Sequence, residues 1–184
     1  MIQEKYTPPL SAHDYFNTQI LPSDINAAER TETGVGRYEQ HDNKVEFILV
    51  RGGSGKIVVN AGSYKLHRGD MFCICSHHFH RLEATPGQKL EFTECRINGG
   101  MFLYIASCPY YRPSSISIPY APIHLHFDEE ATARIETMFR RIANDSRPNS
   151  QMSFFSIVRL FGLMERYGST TDLVPSFEDG AQEE

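Results

Sequence analysis

From Val35 to about Phe127 the chain is written as short apolar runs cut by turn signals, and that spacing is the one used by all-β barrels. Val45–Val50 is an almost unbroken apolar strand, and Gly52-Gly53-Ser54-Gly55 turns the chain after it. Lys56–Asn60 and Ser63–Leu66 flank Ala61-Gly62, the pattern of a tight hairpin. His67-Arg68-Gly69-Asp70 then leads into Met71–Cys75, and Lys89–Ile97 supplies a longer strand. Asn98-Gly99-Gly100 breaks the pattern before Met101–Ala106, which is read with the strands. Ile123-His124-Leu125-His126-Phe127 alternates strictly, with both histidines on one face. A half-buried strand showing that face to solvent explains the pair without a metal.

After residue 127 the period changes from two to that of a helix. Asp128 is a good N-cap, Glu129 and Glu130 complement the helix dipole, and Ile135, Met138, Phe139 and Ile142 recur on one face. A polar loop with Pro148 separates this helix from a second, Gln151 to Tyr167, which Gly168 is placed to end. The second helix is apolar around most of its circumference and must be covered on more than one side. Phe154, Phe155, Val158, Phe161 and Met164 are therefore expected to pair with a second subunit. The expected division is a polar, proline-interrupted arm with one or two short extended pieces over 1–33, a barrel over 34–127, a two-helix segment over 128–168 and a disordered acidic tail over 169–184.

Composition narrows the function classes. A chain of 184 residues with a net charge of −5 is one domain, or one with an appendage, and carries no basic footprint for nucleic acid. No run approaches the roughly 18 apolar residues of a membrane span, and Met1–Tyr6 lacks a signal-peptide pattern, so the expected location is the cytoplasm. Four cysteines, Cys73, Cys75, Cys95 and Cys108, fit buried reduced thiols; no pair of Cys-x-x-Cys units offers a zinc site. There is no Gly-x-Ser-x-Gly elbow, and Gly52–Gly55 precedes a strand instead of the helix that a phosphate loop requires.

Two segments carry the chemistry. The first runs from His41 through Glu46 and the apolar strand to Gly55; the second joins Gly69-Asp70 to His80, eleven residues after the glycine. Together they resemble the two motifs of the cupin barrel, in the form carried by sensor domains of AraC-type bacterial transcription regulators. The resemblance implies a mainly β fold, a cupin-like barrel followed by two α-helices. It also implies a small polar effector in the barrel, a homodimer through the helices, and an arm that responds to ligand. The seventeen residues after Tyr167 are too few for a helix-turn-helix unit, so this fragment is expected to make no direct nucleic-acid contact.

In metal-dependent cupins the first motif supplies two histidines and a glutamate, and the second a third histidine. Here Asn43 falls where one histidine would stand, leaving His41, Glu46 and His80 as the only metal set; no metal and no other cofactor is expected. His41 also fits either family position. Strand alternation puts Glu46, Ile48 and Val50 on one face, and Phe92, Glu94 and Arg96 on one face of the later strand. With His78 and His80, and Arg37 and Tyr38 as weaker members, these side chains are the expected effector contacts. The expectation is a non-enzymatic sensor. The alternatives are a metal-dependent cupin enzyme, of isomerase or dioxygenase type, and a stand-alone binding module.

Overall fold

The computed structural model describes residues 25–106, 122–145, 151–170 and 176–177. In chain order these form β1 (Asn26–Glu32), β2 (Lys44–Gly53), β3 (Gly55–Val59), β4 (Gly62–Leu66), β5 (Asp70–Ile74), β6 (His80–Ala84), β7 (Leu90–Asn98), α1 (Gly99–Ala106), β8 (Ile123–His126), α2 (Glu129–Asn144), α3 (Gln151–Tyr167), β9 (Ser169–Thr170) and β10 (Ser176–Phe177). A six-stranded antiparallel sheet, ordered β1-β7-β2-β5-β8-β9, faces a four-stranded one, ordered β10-β4-β3-β6.

The unbroken apolar run Val45–Val50 has a direct cause: every residue in it is buried, because the larger sheet is covered on both faces. Ile48 and Val50 join Phe72, Ile74, Leu82 and Phe92 in a core between the two sheets. Val45, Phe47 and Leu49, one residue out of phase, pack with Cys95, Ile97 and the helices in a second core. The tight approach of β2 to its neighbour needs glycine: Gly53 has φ +82°, and a Cβ there would lie 1.8 Å from the Lys89 carbonyl oxygen.

Asp128 caps α2 as expected, its side chain accepting a hydrogen bond from the Ala131 amide, and Ile135, Met138, Phe139 and Ile142 turn to the sheet. α3 ends where the Gly168 amide donates to the Met164 carbonyl. Arg68, in the turn before β5, ties α2 to the barrel through Glu129, Glu136 and the Arg51 carbonyl.

Several expectations need correction. Met101–Ala106 lies in a helix, α1: Asn98 accepts the Gly100 amide at 2.7 Å, and Met101, Phe102 and Ile105 bury one helical face. The hairpin turn falls one residue earlier than expected, at Asn60-Ala61, with Asn60 at φ +52°. The arm does carry an extended piece, Asn26–Glu32, a seven-residue strand paired with β7. Parts of the expected disordered tail pair with β8 and β4 as β9 and β10. Residues 1–24 of the arm, Cys108, the Pro148 loop and the rest of the tail lie outside the described residues. Cys73, Cys75 and Cys95 are buried free thiols. No helix among the described residues is long and apolar enough to cross a membrane.

Candidate functional site

Register places the polar side chains. Glu46 of β2 lies opposite Arg96 of β7, and Ile48 opposite Glu94, so acid and base alternate across the inner face of the larger sheet. From the smaller sheet His80 opens β6, held by two backbone hydrogen bonds to Glu39 on the segment that closes the barrel seam. That segment passes close enough to β6 that a Cβ on Gly36 would lie 2.7 Å from the Leu82 carbonyl oxygen.

Four side chains converge there. Glu46 Oε2 lies 2.9 Å from His80 Nε2 and 3.2 Å from His41 Nε2, and Glu39 Oε2 is 3.5 Å from the same His41 nitrogen. Arg96 binds three carboxylates: Glu46 Oε1 at 2.8 Å through Nε, and Glu39 Oε2 at 3.1 Å and Glu94 Oε2 at 3.2 Å through one terminal nitrogen. Arg30 of β1 closes the ladder on Glu94 at 2.9 Å. Glu46 is 2% exposed. Burial alone pushes its carboxyl up, but the bonds and charges of His80 and Arg96 outweigh burial and hold it down at about 2.

Beside this ladder is a cavity of about 70 Å³. Of the expected effector contacts, Glu46, Ile48, His80, Phe92, Glu94 and Arg37 line it. Arg96 acts from behind the lining through its three carboxylates. Tyr38 does not line it; half its surface is exposed and its ring stacks under Arg81 at 4.5 Å. His78 does not line it either. The chain turns at Ser76–His77 instead of continuing the strand, and the buried His78 ring accepts the Cys75 amide through Nδ1. Leu82, which alternation places on the same face as His80, lines the cavity as well, and sequence reasoning missed Glu32, Glu39 and Arg81. Glu39 had a signal: it stands two residues before His41, where a first ligand falls once His41 takes the second position.

Of the two histidines expected to face solvent, His126 is half-exposed and His124 is not. His124 is buried and stacks on Phe72, with ring centroids 4.3 Å apart, and Asp70 Oδ1 lies 3.4 Å from His124 Nε2 and 2.8 Å from His126 Nδ1. Burial raises the Asp70 carboxyl, but these imidazoles and the His67 amide bring it below the usual range.

The expected dimer set divides. Phe161 and Met164 are buried within the chain, Phe161 packing edge-on to Phe47 at 5.9 Å and against Phe102 at 5.6 Å. Phe155 and Val158 are exposed and Phe154 is partly buried. The error has a physical reason: α1 adds an unforeseen layer over the sheet, so α3 meets core on a wider arc than two neighbours would provide.

The donors for the metal of cupin enzymes can be tested on this geometry. Ligand atoms of Glu39, His41 and His80 lie within 4.8 Å of one another, while Asn43 takes no part and sits at φ +52° in a turn. The guanidinium of Arg96 already neutralises the carboxylates of this set, so the cluster does not fit a resident dication.

Two facing antiparallel sheets with a small charged interior and helices over the outer face define a ligand-binding barrel of the cupin type. The AraC-like ligand binding domain model matches residues 24–153, and the chain belongs to that family of effector-sensing domains. No curated protein matches it. Among solved structures it is similar to ToxT from Vibrio cholerae O395, with 11% identity, a TM-score of 0.52 and coverage of 81% of this chain and 58% of ToxT. ToxT bound to (E)-4-(8-methylnaphthalen-1-yl)but-3-enoic acid is similar at 10% identity and TM-score 0.52, over 78% of this chain and 57% of that one. The cupin domain of Schizosaccharomyces pombe Cnp3 has 8% identity and a TM-score of 0.40, over 44% of this chain and 61% of that chain. The chain therefore spans about three fifths of these structures, and the likeness to ToxT shows the fold alone.

Proposed function

We propose that this domain senses a small polar effector in the cavity bordered by Glu46, Ile48, His80, Phe92 and Glu94, with Arg37 at its edge, and reports occupancy through its helices to a transcription regulator. The observation that carries this is the two-faced sheet. Glu46 and Glu94 face the cavity while Phe47 and Cys95, their neighbours on the same strands, pack with the helices. A ligand that shifts β2 or β7 by a fraction of an ångström must repack Phe47 against Phe102 and Phe161. Such a ligand biases the helices in proportion to its differential affinity for the two arrangements. ToxT, of the same architecture, is solved with an aromatic carboxylic acid bound, which supports a small organic molecule as ligand. The cavity of about 70 Å³ favours a smaller one here.

Phe155 and Val158, the exposed apolar residues of α3, are the proposed centre of a two-fold homodimer, in place of the buried Phe161 and Met164. The test of effector binding is a thermal-shift screen of sugars, polyols, small acids and amines, followed by calorimetry of each hit on Phe92→Ala and Arg37→Ala. Affinity should fall at least about tenfold in Phe92→Ala, which removes a lining ring. Hits that bind both variants as tightly as the parent would place the effector elsewhere and refute the assignment.

A further inference from the structure

Glu39, His41, Glu46 and His80 supply two carboxylates and two imidazoles, a donor set suited to a divalent transition metal. Glu46 Oε2 is met only by the two imidazoles, at 2.9 and 3.2 Å, and His41 Nε2 is buried without an aligned hydrogen bond, so the cluster retains capacity toward a cation. The cation facing it is Arg96, whose position is fixed by the backbone, directly across the ladder from Glu46. Its guanidinium reaches Glu39, Glu46 and Glu94 at 3.1, 2.8 and 3.2 Å. Two of these carboxylates belong to the donor set itself.

We propose that Arg96 is the residue that closes this cluster to metal ions: its guanidinium serves as the built-in cation, and the cluster becomes a divalent-metal site when that charge is removed. Charge and geometry agree. Three carboxylates face two guanidiniums, Arg96 and Arg30, so removing Arg96 leaves a deficit of positive charge that a dication fills. While Arg96 is present, an incoming dication meets like charge held against its own ligands and must compete for oxygens that already accept hydrogen bonds. Arg96 is thus a specificity-determining residue. It holds Glu39 on the seam segment to Glu46 on β2, a cross-link that a metal would otherwise make. The inference concerns the donor set and stands whether or not the effector assignment is right.

The experiment is calorimetric titration of Ni²⁺ and Zn²⁺, each alone, into the full chain and into Arg96→Met, Arg96→Lys and Arg96→Met/His80→Ala, with circular dichroism melts to confirm folding. Arg96→Met should bind one ion per chain about 100-fold more tightly than the parent, on the order of the effect of groups that surround a metal's ligands. Arg96→Lys should stay near the parent, and adding His80→Ala should abolish the gain. If Arg96→Met does not fold, Arg96→Gln, which keeps a hydrogen-bond donor for Glu46, takes its place. A parent chain that binds one ion per chain as tightly as Arg96→Met does, with the binding lost in His80→Ala, overturns the proposal. So does a folded Arg96→Met or Arg96→Gln variant with no gain.

Discussion

Replacing Glu46 by glutamine should cost roughly 3 kcal/mol of folding stability at pH 7, and the loss should fade in acid. The side chain is 2% exposed, its carboxyl is held at about 2 against an ordinary value of 4.5, and each unit corresponds to roughly 1.4 kcal/mol. Breaking a buried ion pair by removing one member costs a similar amount, about 3–5 kcal/mol, since Arg96 and His80 lose their partner. A depressed carboxyl stabilises the fold above its unfolded value and loses that contribution as pH falls through its folded one. The difference between parent and Glu46→Gln should therefore be full above about pH 5, fall to less than half near pH 3, and nearly vanish around pH 2. Urea unfolding of both proteins from pH 7 to pH 3 measures it. Subtracting one curve from the other cancels Asp70, whose lowered carboxyl titrates in both. A difference below about 1 kcal/mol at pH 7, or one constant across the range, would refute the charge ladder as the source of this stability.

The parts of the fold and site that could be read from sequence are those set by period. Glu46, Ile48 and Val50 alternate on one strand and Phe92, Glu94 and Arg96 on another, and a one-residue slip would have turned both sets outward; the registers Glu46–Arg96 and Ile48–Glu94 keep them in. The capped helix after Asp128 was legible for a similar reason, since local chemistry decides it. What failed depended on tertiary neighbours. Whether Phe161 meets a second subunit or Phe102 depends on α1, whose eight residues contain a Gly-Gly start and an apolar run compatible with either strand or helix. His124 alternates like a surface residue, yet the closing barrel wall and Asp70 bury it. Glu39 escaped notice because the segment that carries it pairs with β6 only through isolated bridges, which leave no periodic trace.

Three further outcomes follow from the same geometry. Gly69→Ala should lower stability by at least about 1 kcal/mol in urea melts, since Gly69 has φ +88° and its Cβ would lie 2.4 Å from the Phe127 carbonyl oxygen; an unchanged midpoint would contradict that geometry. Arg68→Ala should cost no more than about 1 kcal/mol, because Arg68 and Glu129 are exposed and only Glu136 is partly buried, and a larger loss would mean that this tie between α2 and the barrel is stronger than surface ion pairs supply. Phe155→Glu and Phe161→Glu separate the two halves of α3's apolar surface. Phe155 is 60% exposed, so a glutamate there should leave the urea midpoint nearly unchanged while light scattering shows the proposed dimer giving way to monomer. Phe161 is fully buried against Phe47 and Phe102, so a glutamate should cost more than the roughly 3–5 kcal/mol of a Phe→Ala truncation and unfold the chain before its effect on association can be measured. A folded, monomeric Phe161→Glu protein would return Phe161 to the subunit interface and remove it from the core beneath the cavity strands.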